Sequence, residues 1–96
     1  MFIKLNPLLH SELRLAIMSL LMNFESAEFK FVLEKTKATK GNLSIQITKL
    51  KDANYIKVKK SFRNNYPLTT LSISPKGKDV FDQYVENLKS FINLSD

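Results

Sequence analysis

The sequence predicts a mainly helical α+β domain in which three helices precede a two-stranded β-hairpin and a fourth helix follows it. Three observations carry that expectation. Apolar residues recur at spacings of three and four through the first half of the chain, as in helices with one buried stripe. From Tyr55 the period drops to two, as in a half-buried strand. At Ser74 and Pro75 an N-cap and a first-turn proline stand side by side, and helical spacing resumes behind them. A chain of 96 residues suits one domain with one core, so residues 1–96 are expected to fold as a unit.

The first helix is read over "SELRLAIMSLLMNF", residues 11–24. Ser11 caps it, Glu12 stands in its first turn, and neither Gly nor Pro interrupts it. Leu13, Ala16, Ile17, Leu20, Leu21 and Phe24 form its core stripe, while Leu15, Met18 and Met22 form a second apolar stripe on the other side. A helix apolar nearly all round is buried on more than one face, and in so small a domain a partner chain is the expected second cover. "EFKFVLEKT", residues 28–36, reads as a short helix with Phe29, Val32 and Leu33 inward and Phe31 outward. Thr39 then caps a helix over residues 40–52, whose buried stripe is Leu43, Ile47 and Leu50. Two helices so closely spaced, the second polar and basic on its outer face, have the pattern of a helix-turn-helix, which many helical hairpins share.

In "YIKVKKSF" the alternation puts Ile56, Val58, Lys60 and Phe62 on the inner side of a strand and Lys57, Lys59 and Ser61 on the outer. "RNNYP" supplies the turn, with Arg63, Asn64 and Asn65 in the loop, and "LTTLSIS" returns with Leu71 and Ile73 inward and Thr70 and Ser72 outward. The last helix is expected over residues 75–93. Val80, Phe81, Tyr84, Val85, Leu88, Phe91 and Ile92 line a broad stripe along it, and such a terminal helix often packs against its own copy.

Composition narrows the function. Fifteen Lys and Arg against nine Asp and Glu give a net charge of +6, which favours an anionic partner such as nucleic acid or a membrane surface. The absence of cysteine removes disulfides, thiol sensing, Cys-ligated zinc and thiol nucleophiles together, and suits a cytoplasmic protein. His10 is the one histidine and has no companion, so it is expected to be structural, with no metal and no cofactor. No apolar run is long enough to span a membrane, and "MFIKLNPLLHSE" is too short and too soon broken by Pro7 to be a signal peptide. With no His pair, no Ser beside a base and only two glycines, nothing points to an enzyme.

Three blocks in order make the reading more specific. "LNPLLHSELRLAI" carries Leu5, Pro7, His10, Arg14 and Ile17; "TKGNLSIQITKLKDANYI" carries the second helix of the pair and its exit turn; "KKSFRNNYPLTTLSISPKG" carries Lys60, Phe62, Pro67, Thr69, Leu71, Ser74 and Gly77. Together they cover nearly the whole chain. On them the sequence resembles the winged helix-turn-helix transcriptional regulators of the MarR/ArsR superfamily, in particular the small single-domain group with a C-terminal dimerisation helix. The sequence departs from that pattern at Thr36 and Lys37, where a leucine and a glycine are usual, at Ile45, where a polar or basic residue is usual, and at Asn54, where glycine is commoner. Asparagine tolerates the left-handed conformation, so Asn54 need not alter its turn.

The resemblance implies a sequence-specific regulator of transcription, more commonly a repressor, that binds double-stranded DNA as a homodimer on a pseudo-palindromic operator. The helix over residues 40–52 enters the major groove and the wing, residues 57–70, reaches the backbone or minor groove. Thr39, Lys40, Asn42, Ser44, Ile45, Thr48, Lys49 and Lys51 are then the candidate contacts from the helix, with Gln46 at the edge of its face. Lys57, Lys59, Arg63, Asn64 and Asn65 are those from the wing, and Lys60 is ranked below them because it falls on the inner side of the alternation. At about 100° per residue Ile45 lies nearly opposite the buried stripe. Two readings of it stand: contact with a thymine methyl, or packing on a neighbouring chain or under the wing. For the dimer the candidates are Phe2, Ile3 and Leu5 from the N-terminal arm, Leu15, Met18 and Met22 from the first helix, and Phe81, Tyr84, Leu88, Phe91 and Ile92 from the last, with Phe31 unassigned. A small-molecule effector between the last helix and the DNA-binding core is open, and no residue identifies one. Two other readings remain, a protein-docking domain and a sequence-neutral architectural DNA binder.

Overall fold

The computed structural model describes residues 4 to 92. Its elements run α1 (Glu12–Asn23), β1 (Ala27–Glu28), α2 (Phe29–Thr36), α3 (Lys40–Asp52), β2 (Ile56–Arg63), β3 (Tyr66–Ile73) and α4 (Pro75–Ile92). The predicted class and order hold, with one addition. Ala27 and Glu28, which the sequence places at or before the start of a helix, form a short strand antiparallel to β3, opposite Leu71 and Thr70. The sheet is therefore three-stranded in the order β1-β3-β2. A two-residue strand is too short to show a period, so alternation could not have announced it.

Local chemistry accounts for the boundaries. The Ser11 hydroxyl accepts from the Arg14 amide and the Thr39 hydroxyl from the Asn42 amide, capping α1 and α3 as expected. Lys37 closes α2 in the left-handed region at φ 57°, with its N–H on the Leu33 carbonyl. Asn54 takes the same region at φ 65°, so the exit turn of α3 keeps its shape without glycine. Asn64 and Asn65, at φ 50° and 68°, form the two-residue turn between β2 and β3. Arg63 accordingly lies in the ladder opposite Tyr66 and not in the loop. Ser74 is buried; its hydroxyl accepts from the Gly77 amide at 2.9 Å and donates to the Asn54 carbonyl at 2.6 Å.

Leu9, Ile17, Met18, Leu21, Val32, Leu43, Ile47, Leu50, Ile56, Leu71 and Tyr84 form one core. This corrects three expectations. Met18 is 0% exposed, so the second stripe of α1 is partly covered within the protomer and Met18 has no surface to offer a partner. Tyr84 is likewise buried, with its hydroxyl 3.0 Å from His10 Nδ1. The histidine is thus structural, linking the N-terminal arm to α4. Phe24 leaves the core stripe: α1 stops before it, its backbone is extended, it is 45% exposed, and it meets Phe31 edge-on with ring centroids 5.2 Å apart. That contact gives Phe31 its place.

Candidate nucleic-acid interface

On α3 the buried stripe of Leu43, Ile47 and Leu50 anchors the helix, and Lys40, Asn42, Ser44, Ile45, Thr48, Lys49 and Lys51 face outward. No acid stands in its first turn; Lys40 does, a poor companion for the positive end of the helix dipole but a good one for a phosphate. Ile45 is 56% exposed, which removes the reading that it packs under this chain's wing. The hydroxyls are already partly committed. Thr48 donates to the Ser44 carbonyl at 3.0 Å and so presents an acceptor lone pair, whereas Thr39 accepts from the Asn42 amide and keeps its O–H to donate.

The wing divides its residues by face. Val58, Lys60 and Thr69 line a groove of about 270 Å³ together with Phe29, Lys40, Ser44, Ile47, Thr48 and Lys51, so one side of the hairpin and the exposed face of α3 share a basic cleft. Lys57 lies on the other side, in a hollow with Met22, Phe24, Ser72 and Lys78. Lys59 has the same parity as Lys57, opposite Thr70 in the ladder. The inner position of Lys60, which ranked it lower in the sequence, turns it toward the exposed face of α3. It is exposed because the hairpin outruns the core, and so is Phe62 beyond it at 76%. Arg63 pairs with Glu28 at 3.1 Å, tying the far end of β2 to β1. Thr39, Asn64 and Asn65 are exposed as expected.

Two residues outside the candidate set enter the site. Arg14 of α1 donates through Nε to the Leu8 carbonyl at 2.6 Å and through its guanidinium to Gln46 Oε1. Gln46 Nε2 in turn donates to Asn42 Oδ1 at 3.0 Å. The sequence shows Gln46 at the edge of the helix face, but no local signal pairs it with an arginine on another helix.

Of the dimer candidates, Phe2 and Ile3 lie outside the described residues. Leu5, Leu15, Met22, Phe81, Leu88 and Phe91 are half-buried and Ile92 is exposed. Beyond its first turn α4 fully buries only Tyr84; Val80, Phe81 and Leu88 pack against the core and stay half-buried.

A helix-turn-helix whose second helix is exposed, basic and flanked by a hairpin is a winged helix built to meet a polyanion. The comparisons agree. The family described as "Winged helix DNA-binding domain" matches residues 13–92. An uncharacterized protein of Methanocaldococcus jannaschii is 33% identical over 76 residues, covering 79% of this chain and 83% of its own. A transcriptional regulator homologue from Pyrococcus horikoshii superposes with a TM-score of 0.85 at 27% identity, over 93% of this chain and 88% of its own. A PadR-like transcription factor from Bacteroides fragilis superposes with a TM-score of 0.77 at 20% identity, over 88% and 86%, and speaks for the fold alone. The chain belongs to the winged-helix DNA-binding domain family. Among the described residues no helix is long and apolar enough to cross a membrane.

Proposed function

We propose that the protein is a cytoplasmic regulator that binds double-stranded DNA sequence-specifically as a homodimer, each protomer reading half of a pseudo-palindromic operator, with repression the expected outcome. The cleft shared by Lys40, Ser44, Thr48 and Lys51 of α3 and Lys60 and Thr69 of the wing carries the reading. It sets cations and hydroxyls from two elements around one strip of surface, as a phosphate backbone beside a major-groove helix requires. Lys40, Lys49, Lys51 and Lys60 hold phosphates, Asn42, Ser44 and Thr48 face base edges or phosphates, and Ile45 is free to meet a thymine methyl. Residues 75–93 contribute to the dimer, which places the two recognition helices about one duplex turn apart, roughly 34 Å. Of the alternatives, a docking domain has no need of this basic cleft, and an architectural binder has no need of the mixed donor and acceptor face of α3.

A binding selection from randomised duplexes, followed by titration of the winner and a scrambled control at two salt concentrations, tests it. An enriched inverted repeat bound far more tightly than the control is expected. Salt-sensitive binding with no enriched motif would mean an architectural protein, and no binding would end the DNA reading.

A further inference from the structure

The side-chain chain from Arg14 through Gln46 to Asn42 has a direction that hydrogen-bond chemistry settles. An arginine side chain only donates, so the Gln46 atom that faces Arg14 must be its carbonyl oxygen. The Gln46 amide nitrogen is thereby turned toward Asn42. A primary amide nitrogen also only donates, so the Asn42 atom that meets it must be Oδ1. Each step removes one of the two orientations that an asparagine or glutamine amide ordinarily has. The relay is held at its far end, because Arg14 is fixed by its second bond to the Leu8 carbonyl at 2.6 Å. Asn42 itself is exposed on the outward face of α3, one turn from Thr39.

We infer that Arg14 and Gln46 act as positioning residues that hold the Asn42 amide with its nitrogen outward, so that Asn42 reads a guanine through donation to O6 and N7. This rests on the DNA reading above. A freely turning asparagine suits adenine, donating to N7 while accepting from N6. With Oδ1 engaged by Gln46, the outward group is a donor with two hydrogens. In the major groove guanine alone presents two adjacent acceptors and no donor. Specificity at that base pair is then set by a residue on α1 that touches no DNA.

Gln46→Glu inverts the relay. A carboxylate still accepts from Arg14 but cannot donate to Asn42, so the asparagine turns its nitrogen inward and its oxygen outward, toward a base with an amino group. The test titrates wild type, Gln46→Glu, Asn42→Ala and the double variant against duplexes changed one base pair at a time from the selected site. Gln46→Glu is expected to move the preference at one position per half-site from guanine to cytosine or adenine, by roughly 2- to 12-fold, the range of one net hydrogen bond. Asn42→Ala should abolish the preference at the same position, and on that background Gln46→Glu should shift nothing. An unchanged preference in Gln46→Glu, a uniform loss over all sequences, or a shift that persists without Asn42 would overturn the inference. The relay has its own readout in the free protein. A side-chain amide proton of Gln46 should be shifted and slowed in exchange in the wild-type NMR spectrum and return to the free position in Asn42→Ala, whose fold is unaffected at an exposed site. No such change would sink the relay whatever the protein binds, whereas an intact relay in a protein with no preferred base would sink the sequence-specific reading instead.

Discussion

Lys37 shows how one side chain can sit against its backbone's preference. Its φ of 57° is the region where a side chain clashes and glycine does not, and it ends α2 where the family pattern has glycine. Lys37→Gly is therefore expected to stabilise the protein by about 0.5–1 kcal/mol, seen as a higher midpoint in urea with an unchanged slope. The two glycines themselves differ. A Cβ on Gly77 would stand 2.0 Å from the Tyr55 carbonyl oxygen, closer than atoms can approach, whereas a Cβ on Gly41 would meet nothing within 4 Å. Gly77→Ala should cost about 3 kcal/mol because α4 must move off the exit turn of α3. Gly41→Ala, in an open helical position, should raise stability by up to about 1 kcal/mol. Thermal unfolding of the pair separates them, and equal effects would mean that the start of α4 does not press on Tyr55. Gly77 belongs to the family pattern in the sequence, but the atom it makes room for lies on another element and is visible only in the fold.

At the scale of elements, the wing tests whether alternation or reach decides function. Strand parity was legible in the residues, and the observed register keeps it, with Ile56 opposite Ile73 and Lys60 opposite Thr69. What parity cannot state is where the core ends. Ile56 is buried while Lys60 and Phe62, on the same side of the strand, are exposed beyond it. Lys60→Ala should then reduce the log-log salt slope of DNA binding by about 0.9 per half-site, and Lys57→Ala, on the opposite side, should leave it nearly unchanged. The reverse result would put the outer face of the hairpin on the duplex. Phe62→Ser should barely change stability, since little of that ring leaves water on folding. α3 was legible almost whole, from its cap to its buried stripe, because a helix amphipathic along 13 residues repeats its message three times. β1 was not, because two residues repeat nothing.

The whole molecule measures 56 × 25 × 21 Å, and α4, an 18-residue helix, supplies one buried side chain beyond its first turn. The half-buried Leu88 lies on its apolar stripe and exposed Ile92 near its end. Sedimentation at micromolar concentration is expected to show a dimer, and Leu88→Glu to shift it to monomer with weaker operator binding. Only monomer in the wild type would remove the two-fold reading. By itself the sequence determined the order of the four helices and the hairpin, the caps at Ser11, Thr39 and Ser74, the left-handed tolerance of Asn54 and the outward basic face of α3, because each is written in neighbouring residues through period, capping or local conformation. Only the tertiary structure decided that Met18 and Tyr84 belong to the core, that Lys60 faces α3 while Lys57 faces away, and that Arg14 reaches Gln46 across 32 positions. Those depend on which surfaces meet when the elements pack, and hydrophobic spacing says which side of an element is buried without saying what lies against it.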